Sequence, residues 1–491
     1  MMSMRKFPLG LFMALMACPG LSAAKPNVIL MMADDLGYGD TGYNGNPVIK
    51  TPALDQMAKD GVRFNRFYAA APVCSPTRAS CLTGRHPYRT GVFFANQGIL
   101  RPEESTLAEV LKSEGYATGL FGKWHLGTFS DKVKDANRGG LKHPELLNVP
   151  TEHGFDTYFA TESKVPTWDP MLKPAKMEKP ENLQFGWNHL KEGEASESYG
   201  TAYWTPDGKA SGNLRGDDSR VIMDRAIPFL EKASSAGTPF FTVIWFHAPH
   251  LPCVAGPKYA EMYKDQEFEL QQFAGCVTAM DEQIGRLRAK LEELKIADNT
   301  MVWFCSDNGP EGNDQAPGRT GGFRGRKRSL SDGGVRVPGV MVWPAGAKPQ
   351  ETDAPVVTSD YMPTIMEAVG AQLPADAHVL DGVSILPLLK GEKWSRPAPI
   401  AFASRDQFTY NGETYKLVGS NKLYHMGEDP HEKNDIAARH PEIVQSYRDA
   451  HSRWYASCKD SFSGGEYGTK SLERVKQKFP TLRMGKAKKD D

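Results

Sequence analysis

The chain has 491 residues, with 59 basic and 59 acidic side chains in balance. That balance excludes a general nucleic-acid binder, which carries a basic excess. The length exceeds one ordinary core, so a large domain with a smaller companion is expected.

Taken from the N-terminus, Arg5 and Lys6 precede an apolar stretch from Leu9 to Ala17, followed by the small residues Gly20, Ser22, Ala23 and Ala24. This is the pattern of a secretion signal, too short to span a bilayer as a mature helix. Residues 1–23 are therefore expected to be removed, with cleavage after Ala23. The run Leu15-Met16-Ala17-Cys18 also matches a lipoprotein signal, which would instead leave Cys18 lipidated. Both routes export the protein to the periplasm or the medium. No later segment is long and apolar enough to span a membrane.

Asn27 to Ala33 is a continuous apolar run, as in a strand buried on both faces of a parallel sheet. Thr51-Pro52 begins a helix through Lys59, with Thr51 as cap and Gly61 beyond the end. Further helices are predicted over Leu107 to Glu114 and Ser219 to Lys232, with one or two more between Gln266 and Leu294. Strands are predicted over Ala117 to Phe121, Pro239 to Phe246 and Met301 to Cys305. Thr128 to Gly216 is irregular and reads as long loops over a site, with Trp168, Trp187 and Trp204 as candidate stacking platforms.

The alternation predicts an α/β fold, a large, mostly parallel sheet sandwiched by helices over residues 25–393. After Trp394, short polar strands and a helix from Pro441 to Tyr455 suggest a small α+β domain over 394–470. Residues 471–491 form a charged tail, expected to be mobile.

Seven cysteines occur without CxxC pairs, which excludes a zinc ribbon and a dense disulfide framework. Cys74 and Cys81 are two turns apart if helical, about 10 Å, too far to bridge.

The chemistry-bearing residues follow strands, where open α/β sheets place their sites. Asp34 and Asp35 can converge only if the strand ends there, a break ascribed to Gly37 and Gly39. Asp307 and Asn308 follow a second strand. Three carboxylates and an amide oxygen form an all-oxygen set that suits Ca2+ ahead of Mg2+ or Mn2+. Such hard ligands favour an oxygen nucleophile over a thiolate, although Cys74 precedes a helix whose positive end would favour an anion. Arg78, one turn on, shares its side. Lys123 can neutralise an anionic substrate and His125 can transfer protons. His247 and His250 each precede a residue and then a proline, so spacing does not choose between them. Gly325 to Arg328 is a basic cluster.

Six segments in order resemble a family: Asp34-Asp35-Leu36-Gly37-Tyr38-Gly39-Asp40, Cys74-Ser75-Pro76-Thr77-Arg78, Thr83-Gly84-Arg85, Gly122-Lys123-Trp124-His125-Leu126-Gly127, Ser306-Asp307-Asn308-Gly309 and Gly333-Gly334-Val335-Arg336-Val337-Pro338. Lys422-Leu423-Tyr424, Glu428-Asp429-Pro430 and Glu432-Lys433-Asn434 resemble its small C-terminal domain. The chain is similar to the type I sulfatases of the arylsulfatase family, in the alkaline-phosphatase-like superfamily. The resemblance implies that a maturation enzyme oxidises Cys74 to formylglycine. It implies one Ca2+ on Asp34, Asp35, Asp307, Asn308 and modified Cys74, with Arg78, Lys123, His125, His250 and Lys327 in the pocket. Arg326 and Arg328 flank Lys327 where many relatives carry glycine.

The implied reaction releases sulfate from an ester, on a sulfated carbohydrate or an aryl sulfate. Two rival readings share the motifs: a phosphonate monoester or phosphodiester hydrolase with the same nucleophile, and a non-catalytic relative that binds sulfated glycans.

Overall fold

The computed structural model describes residues 25–374, 377–475 and 477–482. The segment read as a secretion signal, with Cys18, lies outside them. The chain-order elements that place the site are β1 (Asn27–Ala33), α1 (Pro52–Asp60), β2 (Val62–Phe64), α2 (Cys74–Thr83), α3 (Leu107–Ser113), β3 (Ala117–Lys123), β4 (Thr157–Thr161), β5 (Tyr203–Thr205) and β6 (Gly208–Lys209). They continue with α4 (Asp218–Ser235), β7 (Phe240–Trp245), α5 (Phe268–Glu293), β8 (Thr300–Ser306), β9 (Gly339–Val342) and β10 (Gln350–Thr352). The segment expected to hold one or two helices is the single 26-residue α5.

These strands form one ten-stranded sheet in the order β10-β2-β9-β8-β1-β7-β3-β4-β5-β6. The run β8-β1-β7-β3-β4 is parallel throughout. Antiparallel partners flank it, β9 on β8 at one side and β5 on β4 at the other. Alternate residues of β1 enter opposite cores: Val28, Leu30 and Met32 pack with α2 and α3, whereas Ile29, Met31 and Ala33 pack with α1, α4 and α5. Burial on both faces is the reason β1 reads as an unbroken apolar run.

C-terminal to the sheet, β11 (Ile400–Ser404), β12 (Gln407–Asn411), β13 (Tyr415–Val418) and β14 (Lys422–His425) form an antiparallel meander covered by α6 (Pro441–Phe462). Phe408, Leu417 and Leu423 join Cys458 and Phe462 of α6, with Tyr88 and Phe93 from the larger part of the molecule.

Several expectations need correction. Thr51 makes no side-chain cap on α1. Its hydroxyl accepts from the Gly42 N–H and donates to Asp55, while the Asp281 carboxylate of α5 accepts from the N–H groups of Ala53 and Leu54, both at 2.9 Å. The irregular stretch conceals β4, a full member of the sheet, and β5; both are too short for their periodicity to stand out. Trp187 and Trp204 are buried, and the Trp204 indole N–H donates to Asp135, so neither is a surface platform. Trp168 packs over Gly256, close enough that a Cβ there would meet its ring at 2.1 Å. Across the boundary drawn at 470, Lys470–Val475 is helical, and within the expected tail Phe479 packs against Tyr88, Phe93 and Phe462.

Candidate active site

The ends of β1, β8, β3 and β7 and the start of α2 converge at one edge of the sheet. Parallel pairing sets β1 between β8 and β7, with Ala33 opposite Ser306, so Asp34 and Asp307 leave the sheet side by side. Asp35 takes a left-handed backbone with φ 68°, which turns two successive carboxylates toward one centre. The break ascribed to Gly37 and Gly39 therefore belongs to Asp35 itself. Those glycines serve close approach instead: a Cβ would lie 2.2 Å from the Arg319 carbonyl oxygen at Gly37 and 2.7 Å from the Gly321 nitrogen at Gly39.

Cys74 is the first residue of α2 and is buried, as are Asp34, Asp35, Arg78, Lys123, Asp307 and Asn308. Arg78 Nη2 donates to Asp307 Oδ2 at 2.7 Å and lies 3.4 Å from Asp34 Oδ2. Lys123 Nζ donates to Asp34 Oδ2 at 2.5 Å. Lys327 Nζ is 2.7 Å from Asp35 Oδ1 and 3.3 Å from Glu311 Oε2. His250 Nε2 is 3.6 Å from Asp35 Oδ2, and Asn308 Nδ2 donates to Asp35 Oδ1 at 2.7 Å. All residues expected at the site are thus brought together around the two acidic strand ends, apart from His125, which lies on the same β3 terminus with its Nε2 2.7 Å from Asn96 Oδ1.

The two candidate histidines separate clearly. His247 is fully buried, with Nδ1 2.8 Å from Asp218 Oδ2 and Nε2 2.7 Å from Thr161 Oγ1. His250 lines a cavity of about 420 Å³ beside the acidic centre. Its Nδ1 is 2.7 Å from the Leu251 carbonyl oxygen, which acts as acceptor and so fixes the proton on Nδ1.

The electrostatics follow from this crowding. Burial opposes ionisation of Asp34, but Lys123, followed by His250, Arg78 and Lys327, holds its carboxyl well below the usual range. Burial and the neighbouring Asp34 charge push Asp307 up to about 7 against the pull of Arg78. Burial raises the Cys74 thiol despite Lys123 and Lys327, so the encoded side chain is no ready thiolate. Burial takes His250 down to about 3 against the opposing pull of Asp35 and Asp34. His125 is also held well below its ordinary value, by burial and then by Lys123.

The donor set fits a hard cation. Asp34, Cys74 and Asp307 offer ligand atoms within 4.8 Å of one another, as do Asp34, Asp35 and His250. Asp34 Oδ1 and Asn308 Oδ1 are buried without a hydrogen-bond partner in the protein. Buried oxygens are seldom left so unless an ion or water completes them.

Sequence reading missed three participants. Asn96 orients His125, and Glu311 joins Lys327 to Arg328, whose guanidinium is 2.5 Å from Glu311 Oε1. Lys164 follows β4 and lines the cavity with His250. Each sits in a loop, where no periodicity marks it; Glu311 alone had a signal, four residues after Asp307 in the Ser306 to Gly309 segment.

The sulfatase family model matches residues 26–371. Steryl-sulfatase of Rattus norvegicus is 32% identical over 421 residues, covering 76% of this chain and 72% of that one. N-acetylgalactosamine-6-sulfatase of Canis lupus familiaris is 30% identical over 432 residues, covering 82% and 72%. The crystal structure of Ps i-CgsB superposes with a TM-score of 0.72 at 25% identity, covering 92% of this chain and 97% of that one. The shared sequence and fold bear out the family resemblance of the ordered motifs, and the chain belongs to the sulfatase family, the sulfuric ester hydrolases.

Proposed function

We propose that this chain removes sulfate from a sulfated carbohydrate after Cys74 has been oxidised to formylglycine by a maturation enzyme, and that one Ca2+ is held by Asp34, Asp35, Asp307, Asn308 and the modified residue 74. The observation that carries the proposal is the placement of Cys74 against Asp34 and Asp307, with ligand atoms within 4.8 Å. A thiolate is a poor partner for such a hard-oxygen set, whereas a hydrated aldehyde is a good one. The hydrate supplies two hydroxyls on one carbon, one to take the sulfuryl group and one to expel it as sulfate. When bound, Ca2+ would offset negative charge on the nucleophile and on the transferring group.

The chain's own residues do the rest. Arg78 holds Asp34 and Asp307 in register. Lys123 and Lys327 bring fixed positive charge to the centre, where sulfuryl oxygens gain negative charge. The Lys327 ammonium beside Asp35 is the protic position from which the departing alcohol takes a proton, and His250 Nε2, bare while Nδ1 carries the proton, stands beside it as a hydrogen-bond acceptor. His125 has Nε2 engaged by Asn96, which leaves its unpartnered Nδ1 to accept the proton of the second hydroxyl.

A sugar suits the cavity better than a flat steroid. Gln184, Asn313, Gln315, Glu269 and Lys164 present polar groups, beside apolar surface from Phe185 and Leu251. The N-acetylgalactosamine-6-sulfatase likeness supports the same class. Export, by signal cleavage or through lipidated Cys18, would bring the enzyme to extracellular glycans. Mass spectrometry of the peptide bearing residue 74 in active enzyme tests the nucleophile; an unmodified thiol with full turnover overturns it. Paired assays on the sulfate and the phosphodiester of one phenol test the reaction; preference for phosphorus would favour the rival hydrolase.

A further inference from the structure

The cations at the centre are nearly all matched by carboxylates: Arg78 by Asp34 and Asp307, Lys123 by Asp34, Lys327 by Asp35 and Glu311, Arg328 by Glu311. Lys164 is the exception. Among the described residues no carboxylate lies within ion-pair distance of its ammonium, although it is largely withdrawn from water on the cavity wall beside His250. Burial, then Lys123 and Lys327, works against its charge, so a neighbouring anion would relieve the site.

The backbone that presents Lys164 is pinned. Thr161 is bonded to His247, Glu162 pairs with Arg138 in the interior, Ser163 accepts from Asn137, and the Lys164 carbonyl accepts from Thr201. An unpaired ammonium on a fixed loop is a preorganised anion subsite, because little ordering remains to be done on binding. Across the cavity, Glu311 is bonded through both oxygens to Arg328, and Lys327 neutralises it further, so Glu311 repels an anion little. Arg328 itself has φ 76°, an uncommon conformation for a residue with a side chain.

The geometry points to Lys164 as the recognition residue for a second anionic group, a sulfate or carboxylate carried by the substrate sugar beside the scissile ester. The inference rests on the sulfate-ester reading above and narrows its substrate to a polyanionic glycan unit.

The test uses the exported, formylglycine-bearing enzyme and pairs of defined hexose sulfates, each monosulfated sugar matched with its disulfated form. The wild type should favour the disulfated member of the best pair by about tenfold or more in kcat/KM, and Lys164→Gln should cut that preference to within about twofold, chiefly through KM. Lys164→Arg, which keeps the charge, should retain most of the preference. An equal fall for both members in Lys164→Gln would overturn the inference and assign Lys164 to the scissile sulfate. Absence of any preference in the wild type would overturn it as well. Failure of fully modified wild type to release sulfate from either member would instead overturn the underlying sulfate-ester reading.

Discussion

Arg78 Nη2 lies 2.7 Å from Asp307 Oδ2, and both side chains are fully buried. The guanidinium reaches Asp34 from the same position and sits 5.1 Å from the centre of the Trp245 ring. One residue of α2 therefore ties the ends of β1 and β8 to the helix that presents Cys74. Arg78→Ala would leave two interior carboxylates short of their counter-charge, a loss of about 3–5 kcal/mol read as a lower urea midpoint. Arg78→Lys should recover only part of it, since an ammonium lacks the planar fork.

Cys74→Ala removes a small buried side chain but the whole nucleophile. Turnover should fall by at least about 1000-fold, while circular dichroism and the melting temperature stay near wild type. Residual turnover close to wild type would exclude residue 74 as the attacking group.

The two histidines offer a paired comparison. His250→Ala should lower kcat by about 10²–10⁴-fold with little change in melting temperature. His247→Ala should cost about 2–3 kcal/mol of stability, because Asp218 and Thr161 each lose a buried partner. Stability unchanged in His247→Ala would contradict its structural role.

Removing Ca2+ with EGTA should abolish turnover and lower the melting temperature, and added Ca2+ should restore both. At about 100 times Kd the ion should contribute about 2.7 kcal/mol. In Asp34→Asn that calcium-dependent increment should shrink sharply, as seen by calorimetric scanning with and without the ion.

His153 provides a pH signature outside the acidic cluster itself. Burial holds it down at about 3, with Nε2 on Asn148, the residue that accepts the Trp124 indole N–H and donates to the Leu126 carbonyl. The unfolded chain binds this proton near pH 6.5, so the folded state loses ground as pH falls from there toward 3. The slope is up to about 1.4 kcal/mol per pH unit. The stability gap between wild type and His153→Gln, measured from urea midpoints at pH 7, 6 and 5, should therefore move steadily against the wild type on acidification.

The parallel core was legible because β1, β7 and β8 are buried on both faces and must be apolar along their whole length. The acidic pairs and the Lys123 to His125 segment were legible because each follows a strand of the sheet, and Cys74 because it shares an ordered motif with Pro76 and Arg78 at a helix start. Local pattern decided the kind of element and the chemistry it carries, and the order of motifs decided the family. What lay beyond the sequence depended on partners distant in the chain. The α1 cap comes from Asp281, the turn that aims the carboxylates comes from the backbone of Asp35, and His250 rather than His247 reaches the cavity because Asp218 and Thr161 claim the other. Lys164 is a lysine in an irregular loop by sequence. Only packing shows it to be a cation of the cavity wall with no carboxylate in ion-pair distance among the described residues, since pairing depends on distances that neighbours in sequence do not set.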